Sequence, residues 1–180
     1  MGASALLCTL FRYQAWANNE VLEKIGNLDP DLHGQERHTA IRLINHAYVV
    51  GRIFAAHLVG ARHNFSSDNT LDTPELGDLR MAMAASDRWY LDYLETVTPE
   101  LLSEAVPFLF TDGDKGCMSR EEMLAHVVTH GGYHRGEVGR ILAQLSISPP
   151  WDTLAVYLHR TDPSRRLKTS MSSEIPTVSA

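Results

Sequence analysis

The order of apolar and polar positions along the chain is that of a helical protein. Leu6, Leu7, Leu10, Phe11, Ala17, Val21 and Ile25 recur at helical spacing, which predicts a first helix over residues 5–28, ended by Asp29-Pro30. A second helix is predicted over residues 37–60, with Leu43, Ala47, Val50, Phe54 and Leu58 on one face. Residues 62–73 are polar, include Ser66-Ser67-Asp68-Asn69, and read as a long connection. A third helix follows Pro74 and Glu75, both suited to a first turn, and stops at Thr98-Pro99. Val106, Phe108 and Phe110 then alternate up to Thr111-Asp112-Gly113-Asp114, which predicts a small hairpin or extended excursion. Ser119 with Glu122 three residues on is a capping-box signal and opens a fourth long helix to about residue 145. A short helix over 153–159 is expected after Ser148-Pro149-Pro150.

Four long helices with one apolar stripe each are satisfied most simply by an all-α four-helix bundle. The long connection makes the link between the second and third helices a crossover. The expected organisation is one domain over residues 1–160. From Thr161 the chain is rich in Ser, Thr, Arg and Lys, so residues 161–180 are expected to form a disordered tail.

Composition narrows the function classes. Apolar residues make up 44% and charged residues 21% of the 180, a globular mix. With a net charge of -6 and no basic stripe, nothing predicts binding to a phosphate backbone, so nucleic acid is not an expected partner. The first apolar run is too short for a membrane span and lacks the shape of a signal peptide, so no membrane association is expected. Two cysteines, Cys8 and Cys117, cannot build a disulfide framework, which fits a cytoplasmic location.

The nine histidines carry the chemistry. In the fourth helix, His126, His130 and His134 are spaced four apart, so adjacent pairs share a face one turn apart. At about 100° per residue, His134 falls within the arc of Met123, Val127, Val138, Ile141 and Leu145, and His130 lies at its edge. His126 is further round, towards Tyr133 and Arg140. On the second helix both His46 and His57 lie near the inward face. Eleven residues separate them, about 16 Å at a rise of about 1.5 Å per residue, so they cannot share one ion. Either could complete a three-histidine set with His130 and His134, and spacing leaves the choice open. The competing reading is of core histidines satisfied by hydrogen bonds, the stronger one for His57. His33, His38, His63 and His159 sit in loops or at ends and are expected to face solvent. No HExxH glutamate is present, so a zinc-protease reading has no general base in the expected place.

These residues resemble a known family. His126-Val-Val-Thr-His130-Gly-Gly-Tyr-His134-Arg135-Gly136-Glu137-Val138, followed by Pro149-Pro150-Trp151-Asp152 and Tyr157-Leu158, is similar to the C-terminal signature of the DinB family of metalloenzymes. Phe11-Arg12-Tyr13-Gln14-Ala15-Trp16-Ala17-Asn18 is similar to that family's opening, and Leu43-Ile44-Asn45-His46 to the segment supplying its first metal histidine. The resemblance covers about residues 5–160. It implies metal ligands at His46, His130 and His134, an up-down-down-up bundle, and a homodimer. Three imidazole ligands suit a divalent ion, zinc or nickel, and the resemblance implies that it acts on a small-molecule substrate with a low-molecular-weight thiol. The chemistry expected first is thiol-dependent transfer. Metal-dependent hydrolysis, a non-catalytic metal-binding stress protein and a metal-free bundle are the rival readings. Glu137 stands where relatives commonly have Gln; an outer hydrogen-bond acceptor, a fourth ligand and a solvated charge are all compatible with its position. Tyr13, Trp16 and Asn18 are candidates for the pocket mouth, with packing the stronger reading for Trp16.

Overall fold

The computed structural model describes residues 2–167. Four long helices, α1 (Ala3–Gly26), α2 (Gly34–Leu58), α3 (Leu76–Thr96) and α5 (Arg120–Gln144), form the body of the domain. The short α4 (Pro99–Leu102), the strands β1 (Ala105–Leu109) and β2 (Lys115–Ser119), and α6 (Leu154–Thr161) complete it. The mostly helical architecture expected from the apolar periodicity is present. So is the hairpin, whose strands pair antiparallel with Val106 opposite Met118 and Phe108 opposite Gly116.

Local sequence sets the element ends. At the start of α5 the Ser119 side chain accepts from the Glu122 amide, while Glu122 Oε2 accepts from the Ser119 amide at 2.7 Å, so both halves of the capping box are made. At the end of α2, Gly60 adopts φ +66°, and the amides of Gly60 and Ala61 turn back onto the carbonyls of His57 and Ala56. That left-handed step is cheap for glycine and stops the helix cleanly. Thr98-Pro99 does end α3, but it also begins something: Thr98 caps α4, with Pro99 in its first turn. This turn of helix is absent from the sequence reading. Residues 161–167, assigned there to the tail, begin with the last residue of α6 and a 3-10 turn at Pro163–Arg165. The rest of the expected tail, 168–180, lies outside the described residues.

The core falls into two apolar clusters. One gathers Phe11, Phe54, Leu58, Tyr90, Leu94 and Leu124; the other gathers Val21, Ile25, Ile41, Leu79, Val138 and Leu142. The order of these residues in the chain gives the helix directions. α1 and α5 run from the first cluster to the second, whereas α2 and α3 run from the second to the first. The bundle is therefore up-down-down-up. α1 packs on α3 and α5, and α2 packs on α5 and α3, so α1 and α2 lie mainly across the bundle from one another. Because α2 and α3 are parallel, residues 59–75 must travel back along the bundle. At about 3.3 Å per extended residue, that segment is long enough to do so.

Between the two apolar clusters lies a layer of buried polar side chains: Gln14, Asn18, Asn45, Ser86, Asp87 and Arg135. Asn18 donates to both carboxylate oxygens of Asp87 at 3.0 Å, and Arg135 donates to Asn18 Oδ1 at 2.9 Å and to Asp152 at 2.7 Å. Tyr13 donates to the other oxygen of Asp152 at 2.5 Å. The chain of bonds thus ties α3, α1, α5 and the segment before α6 at one height. Burial pushes the Asp87 carboxyl up to about 6, against the pull of Asn18, Gln14 and Arg135.

Candidate metal centre

The three histidines lie in the same layer. His46 projects from α2, which packs closely on α5, and His130 and His134 project from successive turns of α5. Their ring nitrogens converge: His46 Nε2 and His134 Nε2 each stand 3.1 Å from His130 Nε2. One ligand atom from each of the three lies within 4.8 Å of the others, close enough for all to touch a single ion. His57, the alternative third residue, is one helix-end away, packed against Phe108 and His63. Spacing left His46 and His57 equal; the register of α2 against α5 brings His46 to the pair.

The outer nitrogens are committed. His46 Nδ1 donates to the carbonyl of Asp68 at 2.7 Å, and His134 Nδ1 donates to Glu137 Oε2 at 2.6 Å. Both partners only accept, so in the neutral imidazole tautomer that fits them the proton sits on Nδ1 and Nε2 is a bare lone pair. His130 can offer one proton at most between them. At least one of the 3.1 Å contacts therefore sets lone pair against lone pair, an arrangement relieved by a shared cation. Burial, followed by the neighbouring imidazoles, pushes His130 down to about 4, so its ring is neutral near pH 7 and available as a ligand. The side chains of His46 and His134 are only 18% and 12% exposed. A cluster of this kind is compatible with metal binding.

The crossover holds the outer partner of His46 in place. Asn45 Nδ2 donates to Asn69 Oδ1 and Thr70 Oγ1, Asn69 Nδ2 donates to the Arg42 carbonyl, and Arg42 Nη1 donates to the Thr70 carbonyl at 2.6 Å. Glu137 occupies the outer position on His134 rather than the inner triangle. Such partners fix ring orientation and raise ligand basicity. Glu137→Ala is expected to weaken divalent-metal affinity about 10–100-fold. Glu137→Gln, which keeps an accepting oxygen, should lose much less. Competition with a chromogenic chelator measures both.

Trp16 packs against Tyr157 of α6, in line with the stronger reading for it, Tyr13 does the same, and Asn18 belongs to the buried polar chain. His126, placed further round the helix than His130 and His134, stacks on His130 with ring centres 5.2 Å apart and faces Phe54 at 4.7 Å. The hairpin end of the domain covers that edge of α5, which widens the buried arc beyond the helix's own apolar stripe. His63, expected to face solvent, stands against His57 with its Nδ1 buried and without a partner among the described residues. His38 pairs with the Thr73 hydroxyl at 2.8 Å. Two openings flank the histidines. Arg42, Ser66, Asp68 and Asn69 line a polar groove on one side, and aromatic residues line a cavity of about 360 Å³ on the other.

An up-down-down-up bundle with an imidazole triangle at mid-height defines the class: an all-α bundle carrying a cluster compatible with metal binding. The DinB family's profile matches residues 1–168, and the chain belongs to the DinB family. It is 25% identical over 167 residues to "Protein DinB" of Bacillus subtilis (strain 168), the match covering 84% of this chain and 93% of that protein. No solved structure matches the chain. Among the described residues, no helix is long and apolar enough to cross a membrane.

Proposed function

We propose that the protein is a divalent-metal enzyme in which His46, His130 and His134 hold the ion and a small thiol is transferred to an electrophilic carbon. The observation that carries the reading is the convergence of three Nε2 atoms whose opposite ring nitrogens, in His46 and His134, are tied to acceptors. Zinc and nickel both suit imidazole ligands. An ion bound there would supply a nucleophile near neutral pH by lowering the pKa of a thiol or water. Asp68 and Glu137 orient the rings, the neutral His130 keeps its lone pair inward, and the two flanking openings give separate approaches for two reactants. Transfer is favoured over hydrolysis because Glu137, the carboxylate on the same helix face, is engaged by His134 and not free to act as a base.

The test has two parts. Elemental analysis of protein isolated without added metal is expected to find close to one divalent ion per chain. A screen of low-molecular-weight thiols against electrophiles is expected to give turnover that stops on chelation. Turnover of esters or amides without thiol would favour the hydrolase reading, and bound metal without any turnover the non-catalytic one.

A further inference from the structure

The cavity beside His130 has a distinct chemistry. Its walls are mostly rings: Phe54 from α2, Phe108 and Phe110 from the hairpin, and the imidazoles of His57 and His126. Phe54 lies 4.7 Å from His126 and 5.8 Å from Phe108, and His57 lies 5.1 Å from Phe108, centre to centre. No lysine or arginine lines it, and Asp68, its acidic residue, carries a side chain 64% exposed at the rim. Volume near 360 Å³ puts it in the range of small-molecule sites.

The chain keeps room for this roof. Gly116 pairs with Phe108 across the hairpin, and a Cβ there would stand 2.6 Å from the Phe108 ring and 2.9 Å from the Phe110 ring. The missing side chain lets both rings lie over the cavity. Phe110 and Leu109 remain 48% and 54% exposed at its mouth, apolar surface that an occupant would cover. Both His57 and His126 line the cavity and make ring contacts but no side-chain hydrogen bonds to the described residues, so their ring nitrogens are not committed to protein partners there. Burial, then the neighbouring His63, lowers the His57 pKa and favours its neutral form.

We propose that this cavity receives a compact, uncharged aromatic group bearing one hydroxyl or carbonyl oxygen, which His57 and His126 position beside the three-histidine cluster. Ring walls favour an aromatic body through offset and edge contacts, worth about 0.5–1.5 kcal/mol per pair beyond area burial. An anionic group would be desolvated with no lysine or arginine among the lining residues, and a cationic one would meet only the Asp68 carboxylate at the rim. The inference rests on the enzymatic reading in one respect: it assigns the second reactant to the apolar side and leaves the polar groove for the thiol.

Isothermal titration of the full-length chain with 2-naphthol tests it, with 2-naphthalenesulfonate as the same ring system carrying a charge. One naphthol per chain is expected, with the sulfonate at least tenfold weaker. Val50→Trp, which fills the cavity from α2, is expected to lower naphthol affinity at least tenfold. Phe110→Ala, at an exposed position that does not endanger folding, should lower it several-fold. His57→Phe keeps a ring wall but removes the nitrogens, and should cost about three- to tenfold, the worth of one hydrogen bond. Equal binding of the sulfonate, or unchanged naphthol binding in both Val50→Trp and Phe110→Ala, overturns the proposal. Metal content measured on the same samples separates the two readings. Naphthol binding without metal leaves the cavity assignment standing and removes the metalloenzyme, and metal without naphthol binding does the reverse.

Discussion

His130→Ala is expected to reduce bound divalent metal from near one per chain to a trace while leaving the bundle folded. His130 is the middle residue of the triangle, within 3.1 Å of both other Nε2 atoms, so its loss leaves two ligands on different helices without the shared vertex. Two imidazoles hold a divalent ion far less tightly than three. The fold should tolerate the change because the ring is half-buried beside a cavity, and no apolar cluster depends on it. Elemental analysis and far-ultraviolet circular dichroism on the same preparation are the measurements. Full metal content in the variant would show that the ion, if present, is held elsewhere. Thiol transfer should fall with the metal, and transfer at the wild-type rate would place the chemistry outside this triangle.

A second large effect is expected at Arg135, whose side chain is 1% exposed and bridges Asn18 and Asp152. Arg135→Met preserves much of the volume but removes the cation from a layer that holds two carboxylates. Breaking one partner of a buried ion pair typically costs about 3–5 kcal/mol, because the other charge remains without compensation. Urea denaturation in the presence of chelator should show a loss of that size, partly recovered by adding Asp152→Asn. The variant should also change the pH response. In the wild type, Asp87 keeps its proton to about pH 6 when folded but ionises near 3.8 when unfolded. Its contribution to stability is therefore complete below about 3.8 and is lost as pH rises through about 6. Arg135 opposes that rise, so its removal should steepen the decline and carry it to higher pH.

The long helices were legible in the sequence because periodicity, capping and breakers agreed: Ser119 with Glu122 opened α5, and the Phe108–Phe110 alternation marked the hairpin. α4 was not, because Pro99 is both a stop for one helix and a favourable first-turn residue for the next, and only chain direction in space separates the two roles. The pair His130 and His134 was legible as an angle on one helix. The choice between His46 and His57 depended on the sliding register of α2 on α5, which no single-helix projection contains. Asp68 could not be found because its backbone carbonyl is what accepts from His46 at 2.7 Å, with its carboxylate 3.8 Å off, and any residue supplies a carbonyl. The polar chain did leave a signal. Gln14 and Asn18 interrupt the stripe between Phe11 and Val21, and Asp87 interrupts the one between Met83 and Tyr90. Buried polar residues at stripe positions on separate helices find each other when the elements pack at one height.

That interlocked band has a kinetic meaning for the site. A slide of α5 by one turn would carry Arg135 away from Asn18 and press its charge into hydrocarbon, so the helix is indexed against its neighbours before any ion arrives. The socket is thus cut by the polypeptide itself, with most of the ordering entropy settled during folding rather than at capture. Loading and stripping of an ion at the proposed site would then be reversible events on a standing scaffold, unlike small zinc modules that collapse when emptied.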